Sequence, residues 1–429
     1  MECLKYHPVT PRASVTDKRV IQVFGRMFFS MMDFGAAGTL GCPANAVVRQ
    51  STTPSPGSRS VATREIEVRK QAVRWIVRVG KYVAGFGILA AVIYKYWEPD
   101  AETSSPGLRD LLQGPIAWEW LLACLLLLVV TFSLQIVRWY LLVRSLNIPF
   151  TLWHAFQLGL LGLFGNTFLP GSVGGDFFKA YFLAKDSPGQ RTAAVSTVLM
   201  DRGFGLFGLV LFAAVLGSVA WAAGDARILA NAYLQWMVRV TATIACGGIL
   251  GFVLLGSVPQ RRVDRVTERL RSLPRVGVVF ANLWHVIWEF RRHMRVMGYG
   301  LVLTAASHLA IVFTFHVAAR VFPPEHPETD LATLSELVVI APIGFIAQAL
   351  PLAPGGVGVG EAAFAGLYRL AGRPESQGVI ARLTMRIAEW VLALAAWIVY
   401  FRMRKELRTA KEEAKGEGGG DPTPPAPSG

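Results

Sequence analysis

The segment GNTFLPGSVGGDFFKAYFLAKD, residues 165–186, decides how this chain is read. It follows a strongly apolar run, Leu152 to Phe168, and then does what a lipid-exposed helix does not easily do. It sets Pro170, Gly171, Gly174 and Gly175 close together and places Asp176 and Lys179 ahead of Tyr181, Phe182 and Leu183. Backbone groups released by Pro and Gly at membrane depth need partners inside protein or in a water-filled cavity. A segment of the same character, QALPLAPGGVGVGEAAFAGLYRLAG, occupies residues 348–372. Pro170 to Asp176 matches Pro354 to Glu361, the second being one residue longer before its acid and carrying Gly355, Gly356 and Gly358. Two interrupted apolar segments at corresponding places in two halves point to a transport-type site.

Composition supplies the frame. The chain has 429 residues, 53% hydrophobic and 17% charged, where a soluble domain carries about a quarter charged residues. Uncharged runs at Trp120–Val137, Gly203–Gly224, Val240–Gln260, Val296–Ala319 and Leu337–Gly360 match the roughly 18–20 residues that cross a bilayer. The expected fold is an all-α, polytopic integral membrane helical bundle with two Pro/Gly-broken segments. The net charge of +14 sits at span ends and in loops, which is the membrane pattern, so nucleic acid is not an expected partner. The four cysteines show no pairing or metal spacing and say little about compartment.

Residues 1–65 are expected to be a disordered extension, with Ser, Thr, Pro and Gly crowded into QSTTPSPGSR at 50–59. The apolar patch from Val23 to Met32 is interrupted by Arg26 and is short for a signal-peptide core, so no signal peptide is expected. The transmembrane domain is set at 66–405, with a disordered tail at 406–429. Nine arginines lie from Arg261 to Arg295. Within that loop, Val276 to Trp288, with Trp284 and Trp288 beside His285, is expected to lie on the membrane surface as an amphipathic helix.

Basic flanks mark the cytoplasmic side. They are the N-terminal segment, Arg138–Arg144, Arg261–Arg295 and the tail, which leaves acidic loops 98–110 and 325–336 outside. Both chain termini then lie in the cytoplasm. Each interrupted segment nevertheless adds one crossing too many. The count closes if each enters and returns to its own face, one from either side, as in an inverted repeat. The alternative is a kinked helix plus a short half-helix, with the sides misassigned.

Several charges then lie deep. Asp201 and Arg202 are about 15 Å into their span at the helical rise, and neighbours on a helix point about 100° apart. Each therefore needs a partner on another segment. Arg382, Arg386 and Glu389, at i, i+4 and i+7, form one polar stripe. Intramembrane charges are costly and face the bundle interior. One reading is a charged cavity formed by Arg138, Lys179, Asp201, Arg202, Arg382 and Arg386 under the two turns. Asn166, Pro170, Gly171, Gly174, Gly175 and Asp176 would contribute from the first segment, and Pro354, Gly355, Gly356, Gly358 and Glu361 from the second. The other reading is a set of interhelical ion pairs that only fix packing. Helix ends and arginines favour phosphate, so the ligand expected in such a cavity is a phosphate-bearing membrane lipid.

The blocks GN (165–166), LPGSVGGD (169–176), STVLMDR (196–202) and PGGVGVGE (354–361), in this order, resemble the flippase-like transmembrane domain of the lysylphosphatidylglycerol synthase family. Related uncharacterised membrane proteins and archaeal dolichol-phosphate sugar synthase-like proteins share it. The resemblance covers about residues 75–405. It implies movement of a modified phospholipid, or handling of a polyprenyl-phosphate lipid, in the inner membrane. The short run after Arg408 holds no cytosolic aminoacyl-transferase domain, so lysyl transfer by this chain is not expected. No P-loop, HExxH or GxSxG is present, and VGVGE at 357–361 lacks a preceding strand for dinucleotide binding. His308 and His316 lack metal-ligand spacing and are expected to make packing or polar contacts. No catalytic residue, metal or cofactor is therefore expected. A membrane glycosyltransferase stays the main alternative; it would need a metal- or nucleotide-sugar-binding acidic motif at the membrane surface, where the outer loops offer scattered carboxylates. A non-catalytic subunit recruiting a separately encoded lipid-modifying or glycosyl-transferring enzyme stays open, as does a homo-oligomer.

Overall fold

The computed structural model describes residues 56–99, 106–169, 174–256, 259–272, 281, 284, 288, 290, 293–350 and 352–417. Pro170 and Gly171 lie outside these, as does most of the expected surface helix at 276–288. The main helices are α1 Pro56–Lys95, α2 Trp118–Ser145, α3 Leu152–Phe168, α4 Gly174–Asp186, α5 Arg191–Ala222 and α6 Ala232–Gly256. They continue with α7 Gln260–Arg271, α8 Met294–Ala318, α9 Leu334–Ala349, α10 Val359–Leu370 and α11 Glu375–Glu417. Among the described residues there is no strand.

Six helices, α1, α2, α5, α6, α8 and α11, contain stretches long and apolar enough to cross a membrane. The chain is thus an all-α, multi-pass membrane protein. Helices α3 and α9, at 17 and 16 residues, fall short of the roughly 20 that a span needs. Both stop at interrupted sequence: α3 runs out just before Pro170, and α9 gives way to a turn over Pro354–Gly356 before α10 begins.

Helix α1 reaches back to Pro56 and α11 runs on to Glu417, into stretches expected to be disordered. The sequences VATREIEVRK (61–70) and RMRKELRTAKEEAKGE (402–417) are rich in Ala, Glu, Arg and Lys, strong helix formers that extend an already nucleated helix.

The packing is duplicated. Helices α2, α3, α4 and α5 form one half and α8, α9, α10 and α11 the other, each a span, a short broken helix, a second short helix and a long span. Within the halves α3 packs on α4 and α9 on α10, while α4 packs on α5 and α10 on α11. Between them α2 packs along α8, and the crossed contacts are reciprocal: α3 meets α11, and α5 meets α9. The largest apolar cluster lies at this junction, with Leu128, Val312, Phe315, Leu337, Ile340 and Phe364 buried and the Phe315 and Phe364 rings stacked at 4.3 Å. In lipid such contacts stabilise through packing rather than through release of water.

Small residues permit the tightest approaches. A Cβ on Gly175 would collide with the carbonyl of Gly162, so α3 and α4 touch backbone to backbone. Helix α1 stands outside the duplication and spans both broken segments. Its Tyr82 hydroxyl donates to the carbonyl of Phe168 at 2.9 Å, and its Gly85 lies where a Cβ would meet Ala353 at 2.7 Å. In the loop before α8, Trp288 is buried against Val263 of α7, so that ring serves packing rather than a free membrane-facing surface.

Candidate functional site: a charged cavity between two broken helices

Each short second helix carries an acid at its third residue, Asp176 in α4 and Glu361 in α10, where the positive end of the helix favours it. Each acid pairs with an arginine on the long span that follows: Asp176 with Arg202, and Glu361 with Arg386. The two pairs are 26 and 25 residues apart in sequence. The second strut also holds its turn. Arg386 donates from Nη1 to the carbonyl of Gly355 and from Nη2 to that of Gly356, both at 3.0 Å. Glu361 Oε2 accepts from the Gly358 amide at 2.8 Å. Gly355, Gly356 and Gly358 have φ of 56°, 66° and 78°, left-handed values that explain the clustering of glycine here. In the first turn Asn166 Oδ1 accepts from the Gly175 amide at 2.9 Å, capping α4.

Asp201 and Arg202 diverge as their positions on a helix require. Asp201 turns to α2, where Arg138 Nε donates to Oδ1 at 2.8 Å, Nη2 to the Asp201 carbonyl at 3.3 Å, and Nη1 to Thr304 of α8 at 3.0 Å. Arg382 donates to Gln348 Oε1 at 2.7 Å and to Glu389 Oε2 at 2.8 Å.

A cavity of about 300 Å³ lies where α2, α3, α5, α8, α9 and α11 meet beside the two broken segments. Its charged lining is Lys179, Arg202, Arg386 and Glu389. Its polar lining is Gln135, Asn166, Thr167, His308 and Gln348, together with Gly355, and Phe132, Phe345 and Trp390 supply aromatic walls. Of the expected cavity charges, Lys179, Arg202 and Arg386 line it, whereas Arg138, Asp201 and Arg382 do not and are spent on their own pairs. Gly174, Gly175, Asp176, Pro354, Gly356, Gly358 and Glu361 stand behind the wall. Lys179 is the exception to the pairing. Its Nζ lies 5.1 Å from the centre of the Trp139 ring, and among the described residues no carboxylate pairs with it.

Five polar or charged residues of the lining, Gln135, Thr167, His308, Gln348 and Glu389, were not foreseen as cavity groups. His308 was expected to make a packing or polar contact; its Nε2 donates to the Gly205 carbonyl at 3.1 Å while its ring borders the cavity. Gln348 and Glu389 complete the set; aligning the two halves beyond their glycines, by the spacing of acid to arginine, would have drawn attention to them. Glu336, read as a loop acid, is buried: it caps α9 through Thr333 and pairs with Arg373 at 2.9 Å. The matching place at the base of the first half holds His154 and Asp186, 3.5 Å apart and far more exposed.

Residues 83–396 match the family model for the lysylphosphatidylglycerol synthase TM region. The chain belongs to this family. The matched region begins inside α1, ends inside α11 and takes in every residue of the cavity. Two relatives, each called a UPF0104 membrane protein of Methanothermobacter thermautotrophicus, are similar at 25% identity. One similarity covers 66% of this chain and 85% of that protein, the other 62% and 78%. No solved structure matches the chain.

Proposed function

We propose that the protein binds a phosphate-bearing lipid, a phospholipid or a polyprenyl-phosphate-linked lipid, in this cavity and carries its headgroup across the bacterial or archaeal inner membrane. The observation that carries the reading is the uncompensated Lys179, set beside Arg202 and Arg386 in a polar cavity at membrane depth. A lone ammonium there is costly unless an anion or water meets it. A lipid phosphate supplies the anion, and its tails remain in the bilayer.

The geometry favours re-entrant hairpins. With α1, α2, α5, α6, α8 and α11 as the only crossings among the described residues, every basic flank falls on one face and the acidic loops on the other. The α3–α4 hairpin then enters from the cytoplasm and the α9–α10 hairpin from outside, and both termini are cytoplasmic. A broken hairpin from each face, meeting at one site, is the arrangement used for alternating access. A separately encoded lipid-modifying enzyme is a fitting partner for such a carrier.

The test is lipid scrambling. Liposomes containing the purified protein and a fluorescent phosphatidylglycerol should lose outer-leaflet asymmetry faster than empty ones, and Arg202→Ala should slow that loss by about tenfold or more, the scale of one charged contact. If no phospholipid or polyprenyl phosphate moves faster than in empty vesicles, the transport reading falls. In a cysteine-free background, Cys at 190 should react from the cytoplasmic face and Cys at 369 from the other; labelling of both from one face would reject the opposed hairpins.

A further inference from the structure

Given the lipid binding proposed above, the cavity also holds residues able to choose the headgroup. The duplication acts as an internal control. Superposing Asp176 on Glu361 sets Lys179 against Phe364. Superposing Arg202 on Arg386 sets Val198 against Arg382 and Gly205 against Glu389. The acid–arginine struts occur in both halves, so a shared structural need accounts for them. Lys179 and the Arg382–Glu389 pair occur in one half each.

Packing explains the other member of each match. Phe364 is fully buried in the aromatic cluster with Phe315 and Phe345. Val198 is buried in the apolar cluster with Trp139 and Val195, and the Gly205 carbonyl accepts from His308. The Arg138–Asp201 pair is also unmatched, Met385 standing where Asp201 would, but those two charges satisfy each other and neither lines the cavity. What remains is one cation and one anion facing the same cavity from different halves. The Lys179 ammonium lies over the Trp139 ring, and among the described residues no carboxylate pairs with it. Glu389 Oε2 accepts from Arg382 Nη2, and its Oε1 has no hydrogen-bond partner among the described residues.

We infer that Lys179 and Glu389 select the headgroup: Lys179 takes the phosphate, and Glu389 accepts a hydrogen bond from a hydroxyl or ammonium on the group esterified to it. A phosphodiester brings one negative charge, matching the single unpaired ammonium. A headgroup that ends in a methylated ammonium has no donor, and leaves the Glu389 oxygen desolvated without a bond.

Binding, read by native mass spectrometry of the full-length protein in detergent, separates selection from transport. Dioleoyl phosphatidylglycerol and phosphatidylethanolamine should bind about tenfold more tightly than dioleoyl phosphatidylcholine, the scale of one hydrogen bond to a charged group. The double variant Arg382→Val with Glu389→Gly, which gives α11 the residues that α5 already carries, should abolish this preference. Glu389→Gln, which keeps an oxygen for Arg382 but turns an NH₂ toward the cavity, should abolish it as well. Lys179→Met should weaken all three lipids by about tenfold, and Lys179→Arg should restore them. Equal binding of the three lipids by the unaltered protein, a preference that survives in both Glu389 variants, or undiminished affinity in Lys179→Met would each overturn the assignment. Selective binding without movement of lipid in vesicles removes the transport reading alone and leaves the selection standing.

Discussion

The two hairpins hold their turns with the same strut but expose it differently. In the second, the Glu361 and Arg386 side chains are 0% and 3% exposed, and the arginine is tied down further by two turn carbonyls. In the first, Asp176 is 8% exposed but Arg202 is 41% exposed and borders the cavity more openly. The same contrast recurs at the hairpin bases, where Glu336–Arg373 is sealed at 2% and 2% while His154–Asp186 is 35% and 48% exposed. Duplication therefore supplies the frame twice, and the halves divide the work. One hairpin is anchored at both ends by buried charge, and the other holds its paired arginine at the edge of the cavity.

The division can be broken by unpairing the buried charges one at a time. Glu361→Ala strands Arg386 in the protein interior and should cost about 3–5 kcal/mol, read as a lower melting temperature in detergent. Asp176→Ala leaves Arg202 open to cavity water and should cost only about 1 kcal/mol. Equal losses from the two variants would show that the struts are not specialised. At the bases, Glu336→Ala should again cost about 3–5 kcal/mol, whereas Asp186→Ala should stay within about 0.5 kcal/mol. An intermediate effect is expected from Gly358→Ala, which forces a side chain into φ 78° and against α1, at about 1–3 kcal/mol. The smallest belongs to Lys179→Met, which should move stability by no more than about 0.5 kcal/mol while weakening lipid binding. A large loss of stability there would make Lys179 a packing residue.

Much of this architecture could be read from the chain itself, because its strongest signals are local. Long uncharged runs announced the spans, and Pro and Gly clusters announced the two interruptions. The divergence of Asp201 and Arg202 followed from helical geometry alone, although not the identity of Arg138 and Asp176 as their partners. Partner choice is tertiary: Glu336 and Arg373 are 37 residues apart, and in sequence they look like one acid among loop acids and one basic residue after a turn. His308, Gln348 and Glu389 are single polar residues on separate apolar helices, and no spacing links them to a common cavity. The helical ends at 56–65 and 406–417 have another origin. Composition weighs Ser, Pro and Gly over a whole segment, while a helix already nucleated by its span extends through any good formers that adjoin it.

Helix α1 has no counterpart in the duplication, yet it is fastened to both halves, by the Tyr82 hydroxyl on the carbonyl of Phe168 and by the Gly85 notch over Ala353. The ends of the two hairpins cannot separate while that helix keeps both fastenings. Any opening between them breaks one of these fastenings, and a spin label on α1 would register which side lets go.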